Sequence, residues 1–200
     1  MNRFMATVVA FAAITSAHAA GDPAKAQGIA NQVCAACHGI DGNSPLSANP
    51  SLAGQHPESL LKQLTEFKSG ARNNPIMTGM LANLSPDDLR NLATYYSSQT
   101  PKQMGARDKD LVAQGRKLYR GGNLSNGVAA CAGCHSPNGA GIPAQYPRLA
   151  SQHADYVAAQ LKAFRAGDRA NDPNQMMRST AVKLTDKDIA ALAEYISGLH

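Results

Sequence analysis

A chain of 200 residues fills one ordinary domain or two small ones, and this one is 44% hydrophobic, only 5% aromatic, and carries a formal charge of +5. Its positive side chains are scattered and few aromatic rings stand among them, a pattern that excludes a nucleic-acid surface built from basic patches and stacking rings. Past the N-terminus no stretch is apolar enough to span a bilayer.

Arg3 is the only charged residue before Asp22, and an alanine-rich apolar run from Phe4 to about Ile14 follows it. Ala17-His18-Ala19 then puts small residues where a signal peptidase needs them, so residues 1–19 read as a secretory signal peptide cut after Ala19. The run is shorter than the ~20 residues of a spanning helix, which disfavours a retained anchor. The mature chain is expected to be soluble and exported.

Asp22-Pro23 supplies a cap and a first-turn residue for a helix running into Cys34. "CAACH" follows, with Cys34, Cys37 and His38. A second helix is expected from about Pro57 to a stop at Gly70. A third begins at Ser85-Pro86-Asp87-Asp88, where Ser85 caps and the acids suit the helix dipole. Leu89, Leu92, Ala93 and Tyr96 continue it at helical spacing. "SSQTPKQMGARDKD" reads as a linker broken by Pro101 and Gly105.

The chain then begins again. "PSLAGQHPESLLKQLTEFKSGAR" from Pro50 aligns without a gap with "PRLASQHADYVAAQLKAFRAGDR" from Pro147, an offset of 97. "MTGMLANLSPDDLRNLATYYSSQ" from Met77 aligns with "MRSTAVKLTDKDIAALAEYISGL" from Met177, an offset of 100. Upstream, Gln27-Gly28 matches Gln114-Gly115 at an offset of 87, so the second half carries ten extra residues before its cysteines, including the loop-forming "RGGNLSNG". After the Thr185 cap, Ile189, Leu192, Ala193 and Ile196 repeat the helical pattern. No strand alternation is evident. The expectation is an all-α protein of two tandem domains, residues 20–100 and 111–200, joined by a linker at 101–110.

The second half also repeats the thiol motif, as Cys131, Cys134 and His135 of "CAGCH". In an exported chain four cysteines would ordinarily make two disulfides, but that leaves both histidines unexplained. A shared zinc site would want its pairs roughly 15–20 residues apart, whereas these are 97 apart. A thioredoxin-like pair would need a βαβ pattern nearby. C-x-x-C-H is the attachment sequence for c-type haem: two thiols at this spacing add to two vinyl groups of one porphyrin, and the next residue lies under the iron. Two covalent haems are therefore expected, with His38 and His135 as axial ligands.

Two candidates for the sixth ligand recur in both halves. Met77 and Met177 align at the 100 offset, and His56 and His153 at the 97 offset. The methionines stand in "RNNPIMTGM" and "RANDPNQMMRS", which read as loops able to reach across an open haem face. The histidines stand at a helix start, where the backbone is already committed. Met80 aligns with Thr180 and Met176 with Ile76, so the repeat selects Met77 and Met177. Pro50 and Pro147 lie twelve residues after each haem histidine. Their carbonyls could accept the second imidazole proton, as a ligating histidine requires, or the prolines could simply form turns.

With these residues in view the whole mature chain resembles the class I cytochromes c, in particular the dihaem cytochrome c4 family. "CAACHGIDGNSP", "LAGQH", "LLKQL", "MTGML", "LYRGGNL", "CAGCHSPNG", "YPRLASQH" and "YISGLH" carry the resemblance. It implies two class I cytochrome c domains, each wrapped around one haem. It also implies His38/Met77 and His135/Met177 as axial pairs, and Pro50 and Pro147 as the prolines that orient the histidines. "QMMRS" sets two methionines side by side, where the family's second domain more usually has Met-x-Met. The family implies periplasmic electron transport, often close to the membrane. The implied acceptor is a membrane terminal oxidase and the implied donor a quinol-oxidising complex or a small carrier.

Residues 21–104 balance six Lys and Arg against six Asp and Glu, while residues 105–200 carry twelve against eight. The second half is thus the cationic one, suited to an acidic redox partner or an anionic membrane surface. The expected function is a non-enzymatic electron carrier. A dihaem oxidoreductase, peroxidase-like or sulfur-oxidising, is the alternative, and it should break the repeat by losing one sixth ligand. The sequence has no such break.

Overall fold

The protein is described here by a computed structural model covering residues 21–200, so the expected signal peptide and its cleavage after Ala19 lie outside the described residues. Helices α1 (Pro23–Ile29), α2 (Ala35–His38), α3 (Pro57–Ser69), α4 (Pro75–Leu81) and α5 (Pro86–Ser97) form the first half. Helices α6 (Lys109–Gly121), α7 (Ala132–His135), α8 (Ala154–Ala166), α9 (Met176–Ala181) and α10 (Asp186–Ser197) form the second. The fold is all-α: the described residues form no strand, only isolated bridges at Asn123–Val128 and Ile142–Tyr146.

Local chemistry sets the helix ends. The Asp22 side chain accepts the Ala24 N–H, with Pro23 in the first turn. Ser85 and Thr185 each make a reciprocal cap, the hydroxyl accepting from the third residue while Asp88 or Asp188 accepts back. Gly70 and Gly167 stop α3 and α8 in the left-handed conformation, at φ 81° and 85°. The methionine segments, expected as loops, fold as the short helices α4 and α9. For α4 the reason is that Asn74-Pro75 acts as Asp22-Pro23 does: the Asn74 side chain accepts from Ile76 and Met77, and Pro75 takes the first turn. Here the proline starts a helix instead of breaking one.

In each half the first and last long helices cross, α1 on α5 and α6 on α10. α3 and α8 pack beside them and carry α4 and α9. At the second crossing Gly115 is buried, and a Cβ there would stand 2.0 Å from the Ala191 carbonyl oxygen and 2.6 Å from Tyr195 Cβ. Gly28, its partner in the sequence alignment, faces open space, and buried Ala26 and Ala30 supply the α1 side of the first core. The two glycines share a sequence position without sharing a role. The halves differ next to this point: α1 reaches Cys34 through one π-helical turn, Ala30–Cys34, whereas the second half inserts a loop closed by the Asn123–Val128 bridge.

The halves meet through reciprocal hydrogen bonds, as in a two-fold interface where residue i meets j and j meets i. Gln63 and Gln160 each accept from both Arg72 and Arg169, at 2.7 and 3.1 Å for Gln63 and 2.8 and 2.9 Å for Gln160. Each guanidinium also lies 4.4 Å from a ring centroid of its own half, Phe67 or Phe164. Burial, and then the facing Arg72, bring Arg169 down to about 10, so it stays charged at neutral pH. The connecting segment is fastened at both ends: Asn43 donates to the Thr100 carbonyl and accepts from Lys102 N–H, and Glu194 accepts from the Arg107 and Asp108 N–H groups. Lys109 and Asp110 already belong to α6.

The two glycines give the first test. Gly115→Ala should cost about 1–3 kcal/mol by overpacking the crossing, whereas Gly28→Ala should be neutral or stabilise by up to about 1 kcal/mol. Thermal unfolding of the haem-loaded protein measures both.

Candidate haem centres

In both halves the two cysteines and the histidine lie on one helical turn. Cys37 and Cys134 are exposed, Cys34 and Cys131 half-buried. Burial pushes the Cys34 thiol up and the Cys131 thiol up to about 11. Among the described residues no three His, Cys, Asp or Glu side chains converge on one ion, so the two pairs form separate centres.

His38 and His135 are buried, at 8% and 6% exposure. Nδ1 of His38 lies 2.9 Å from the Pro50 carbonyl oxygen, and Nδ1 of His135 lies 3.0 Å from that of Pro147. Burial lowers both imidazole pKa values and the carbonyl contact acts in the opposite sense. The neutral ring therefore donates through Nδ1, leaving Nε2 with the lone pair that a metal ligand needs. The prolines thus do more than make turns.

Met77 is half-buried against the cluster of Phe67, Leu81 and Leu89. Met177 is likewise half-buried, packed against the core of the second half. Met80 and Met176 point outward, 50% and 37% exposed. His56 and His153 occupy the caps of α3 and α8. Nε2 of His56 sits 2.9 Å from the Ala140 carbonyl and Nε2 of His153 sits 2.9 Å from the Ser44 carbonyl, each across the interface. These rings are committed to joining the halves.

Two buried polar atoms have no protein partner among the described residues, the Tyr96 hydroxyl and Arg148 Nε. Tyr96 stands beside Cys34, and Arg148 follows Pro147. A guanidinium N–H beside a haem ligand's anchor suits a porphyrin carboxylate. With two vinyl-reactive thiols, an oriented imidazole and a packed thioether in each half, the residues fit haem c. Sequence reasoning missed Gln55, Gln152, Arg72 and Arg169 as interface residues. Their recurrence in "GQH" and "SQH", and in "GAR" and "GDR", was the available signal.

Taken together, these features define a tandem of c-type cytochrome domains. A family model described as cytochrome c matches residues 23–100 and again 112–200. Cytochrome c4 of Azotobacter vinelandii is 52% identical over the full length of both chains. The crystal structure of reduced cytochrome c4 from Pseudomonas stutzeri superposes with a TM-score of 0.87 at 49% identity, covering 90% of this chain and all of that one. A thiosulfate dehydrogenase electron acceptor from Thiomonas intermedia is 38% identical over 82% of this chain and 77% of its own. The chain belongs to the cytochrome c family and, within it, to the dihaem cytochrome c4 proteins. It is an electron-transfer protein with two covalent haem c groups, one for each thiol pair.

Two haems per chain are expected in a pyridine haemochrome assay. Replacing Cys131 and Cys134 together by Ala should remove one of them and strongly destabilise the second half, whose core surrounds Cys131.

Proposed function

We propose that this protein is a periplasmic electron carrier and not a catalyst, with His38 and Met77 as the axial donors of one haem iron and His135 and Met177 as those of the other. In this reading residues 20–100 and 111–200 are the two carrying domains, 101–110 joins them, and cleavage after Ala19 releases the chain. The carrying observation is the duplication of the donor pair. Each half has a buried imidazole anchored on a proline carbonyl and a half-buried methionine packed against buried apolar residues of that half.

When bound, each haem supplies a one-electron ferric–ferrous couple. His38 with Met77, and His135 with Met177, would hold the iron from both sides and leave no open position for a substrate, and a thioether as the second donor would favour a higher potential than a second imidazole. A relative whose name describes it as accepting electrons from thiosulfate dehydrogenase supports the carrier class over a sulfur-oxidising enzyme. The proposed acceptor is a membrane terminal oxidase, and the proposed donor a quinol-oxidising complex or a small carrier.

Docking is proposed to use the cationic second half. Lys109, Arg116 and Lys117 are exposed, which suits an acidic partner or an anionic membrane surface. The first half has fewer free cations than its sequence suggests. Lys62 is tied to Glu66 and to the Asn171 carbonyl across the interface, and Lys68 to the carbonyls of Leu81 and Ala82. No helix among the described residues is long and apolar enough to cross a membrane.

Met77→Ala should remove about half of the weak far-red absorption that methionine gives to ferric haem, while Met80→Ala leaves it intact. Loss of low-spin coordination in His56→Ala and His153→Ala instead would overturn the ligand assignment. Turnover of peroxide or a sulfur compound at enzymatic rates would overturn the carrier reading.

Electron delivery to the oxidase should slow as salt screens exposed charge over ~8 Å. Reversal of Arg116 and Lys117 to Glu should slow it more than reversal of the exposed first-half residues Lys25 and Lys102. Equal effects would remove the docking claim.

A further inference from the structure

The peptide unit that anchors each haem histidine is held at its other end by the opposite domain. Pro50 O accepts from His38 Nδ1, and the same peptide's N–H, that of Ser51, donates to Gln152 Oε1 at 2.9 Å. Pro147 O accepts from His135 Nδ1, and the N–H of Arg148 donates to Gln55 Oε1 at 2.8 Å. Neither glutamine is free to turn. The Oε1 of Gln152 also accepts from His153 N–H at 3.0 Å while its Nε2 donates to the Ser51 carbonyl at 2.9 Å. For Gln55 the matching distances are 3.0 Å from His56 N–H and 2.9 Å to the Arg148 carbonyl. Flipping either amide would set its NH2 against two N–H donors, so the partners fix its orientation.

A peptide group is conjugated from nitrogen to oxygen. A hydrogen bond accepted from its N–H end shifts electron density toward its carbonyl oxygen, and chains of such bonds strengthen one another. A more electron-rich carbonyl draws harder on the Nδ1 proton and makes the imidazole a stronger donor through Nε2. A stronger donor favours the oxidised iron.

We propose that Gln152 and Gln55 are positioning residues that set the donor strength of the haem histidines crosswise. Gln152 of the second domain acts on His38 of the first, and Gln55 of the first acts on His135 of the second. This rests on the assignment of the two histidines as axial ligands. Each haem's reduction potential then depends on a side chain of the domain that does not carry it, and docking of the two domains tunes both centres.

The test is a redox titration of the haem-loaded protein in which nuclear magnetic resonance signals distinguish the two haems. Gln152→Leu should raise the potential of the haem bound at Cys34 and Cys37 and leave the other unchanged, and should move the His38 Nδ1 proton resonance toward that of a weaker hydrogen bond. Gln55→Leu should do the reverse. Gln152→Glu keeps an acceptor for Ser51 N–H and makes it anionic, so it should lower the potential of the first haem more than that of the second. A shift confined to the haem of the mutated domain, equal shifts at both haems, or no shift would overturn the proposal. Ring-proton signals of His38 and His135 that stay strongly shifted by the ferric iron in these variants show that the histidine assignment still stands, so failure of the relay and failure of that assignment are distinguishable.

Discussion

Each half of this molecule is organised by one hydrogen bond, from a buried imidazole to a proline carbonyl twelve residues further on. The bond fixes which nitrogen carries the proton, and so which one is left to coordinate. It also fixes where the chain must return after the thiol motif. Proline is suited to that return because its φ is locked. From there only a short approach leads to α3 or α8, the helices on which the methionine segments rest. One backbone carbonyl thus ties the thiol motif to the start of α3 or α8.

Two domains of this size bury surface inefficiently, and the large covalent porphyrins supply part of what their small cores lack. The surface between the domains is not a second apolar core. It is built from amide groups, histidine rings and a facing pair of arginines, each satisfied by a partner across the boundary. Polar contacts of this kind contribute modestly to stability when complete and cost heavily when one partner is missing. They therefore specify a single docking arrangement. The close approach of Arg72 and Arg169 is tolerable because two amide oxygens and two aromatic faces meet the guanidinium groups, with Glu66 nearby through Asn171.

What was legible in the sequence was whatever depends on neighbouring residues. Ser85, Thr185 and Asp22 announce their helices because a cap acts within three residues, and the thiol motif announces haem because its geometry fits one helical turn. The helices at Met77 and Met177 were not legible, because Asn74-Pro75 serves equally well as a turn or a helix start, and α9 begins only after the short turn Pro173–Gln175, with no side-chain cap of its own. The roles of His56 and His153 were hidden for a different reason. Their partners lie in the other half of the chain, and a single-chain pattern carries no register between halves. Gly28 and Gly115 show the converse limit: the alignment pairs them, yet only Gly115 lies at a crossing too tight for a Cβ.

Duplication followed by docking explains where the halves agree and where they differ. The donors, their anchors and the interface contacts recur nearly one for one, because each is constrained from both sides by the same geometry. The differences fall where such constraint is absent: the π-helical turn into Cys34 against the loop before Cys131, Ile76 against Met176, and the neutral first half against the cationic second. Ser51 and Arg148 lie where these two regimes meet. Their backbones make equivalent bonds to Gln152 and Gln55, but one side chain is a small hydroxyl and the other a guanidinium whose Nε has no protein partner among the described residues. The two side chains thus place different charge beside equivalent backbone bonds, which is one source of inequality between the two centres.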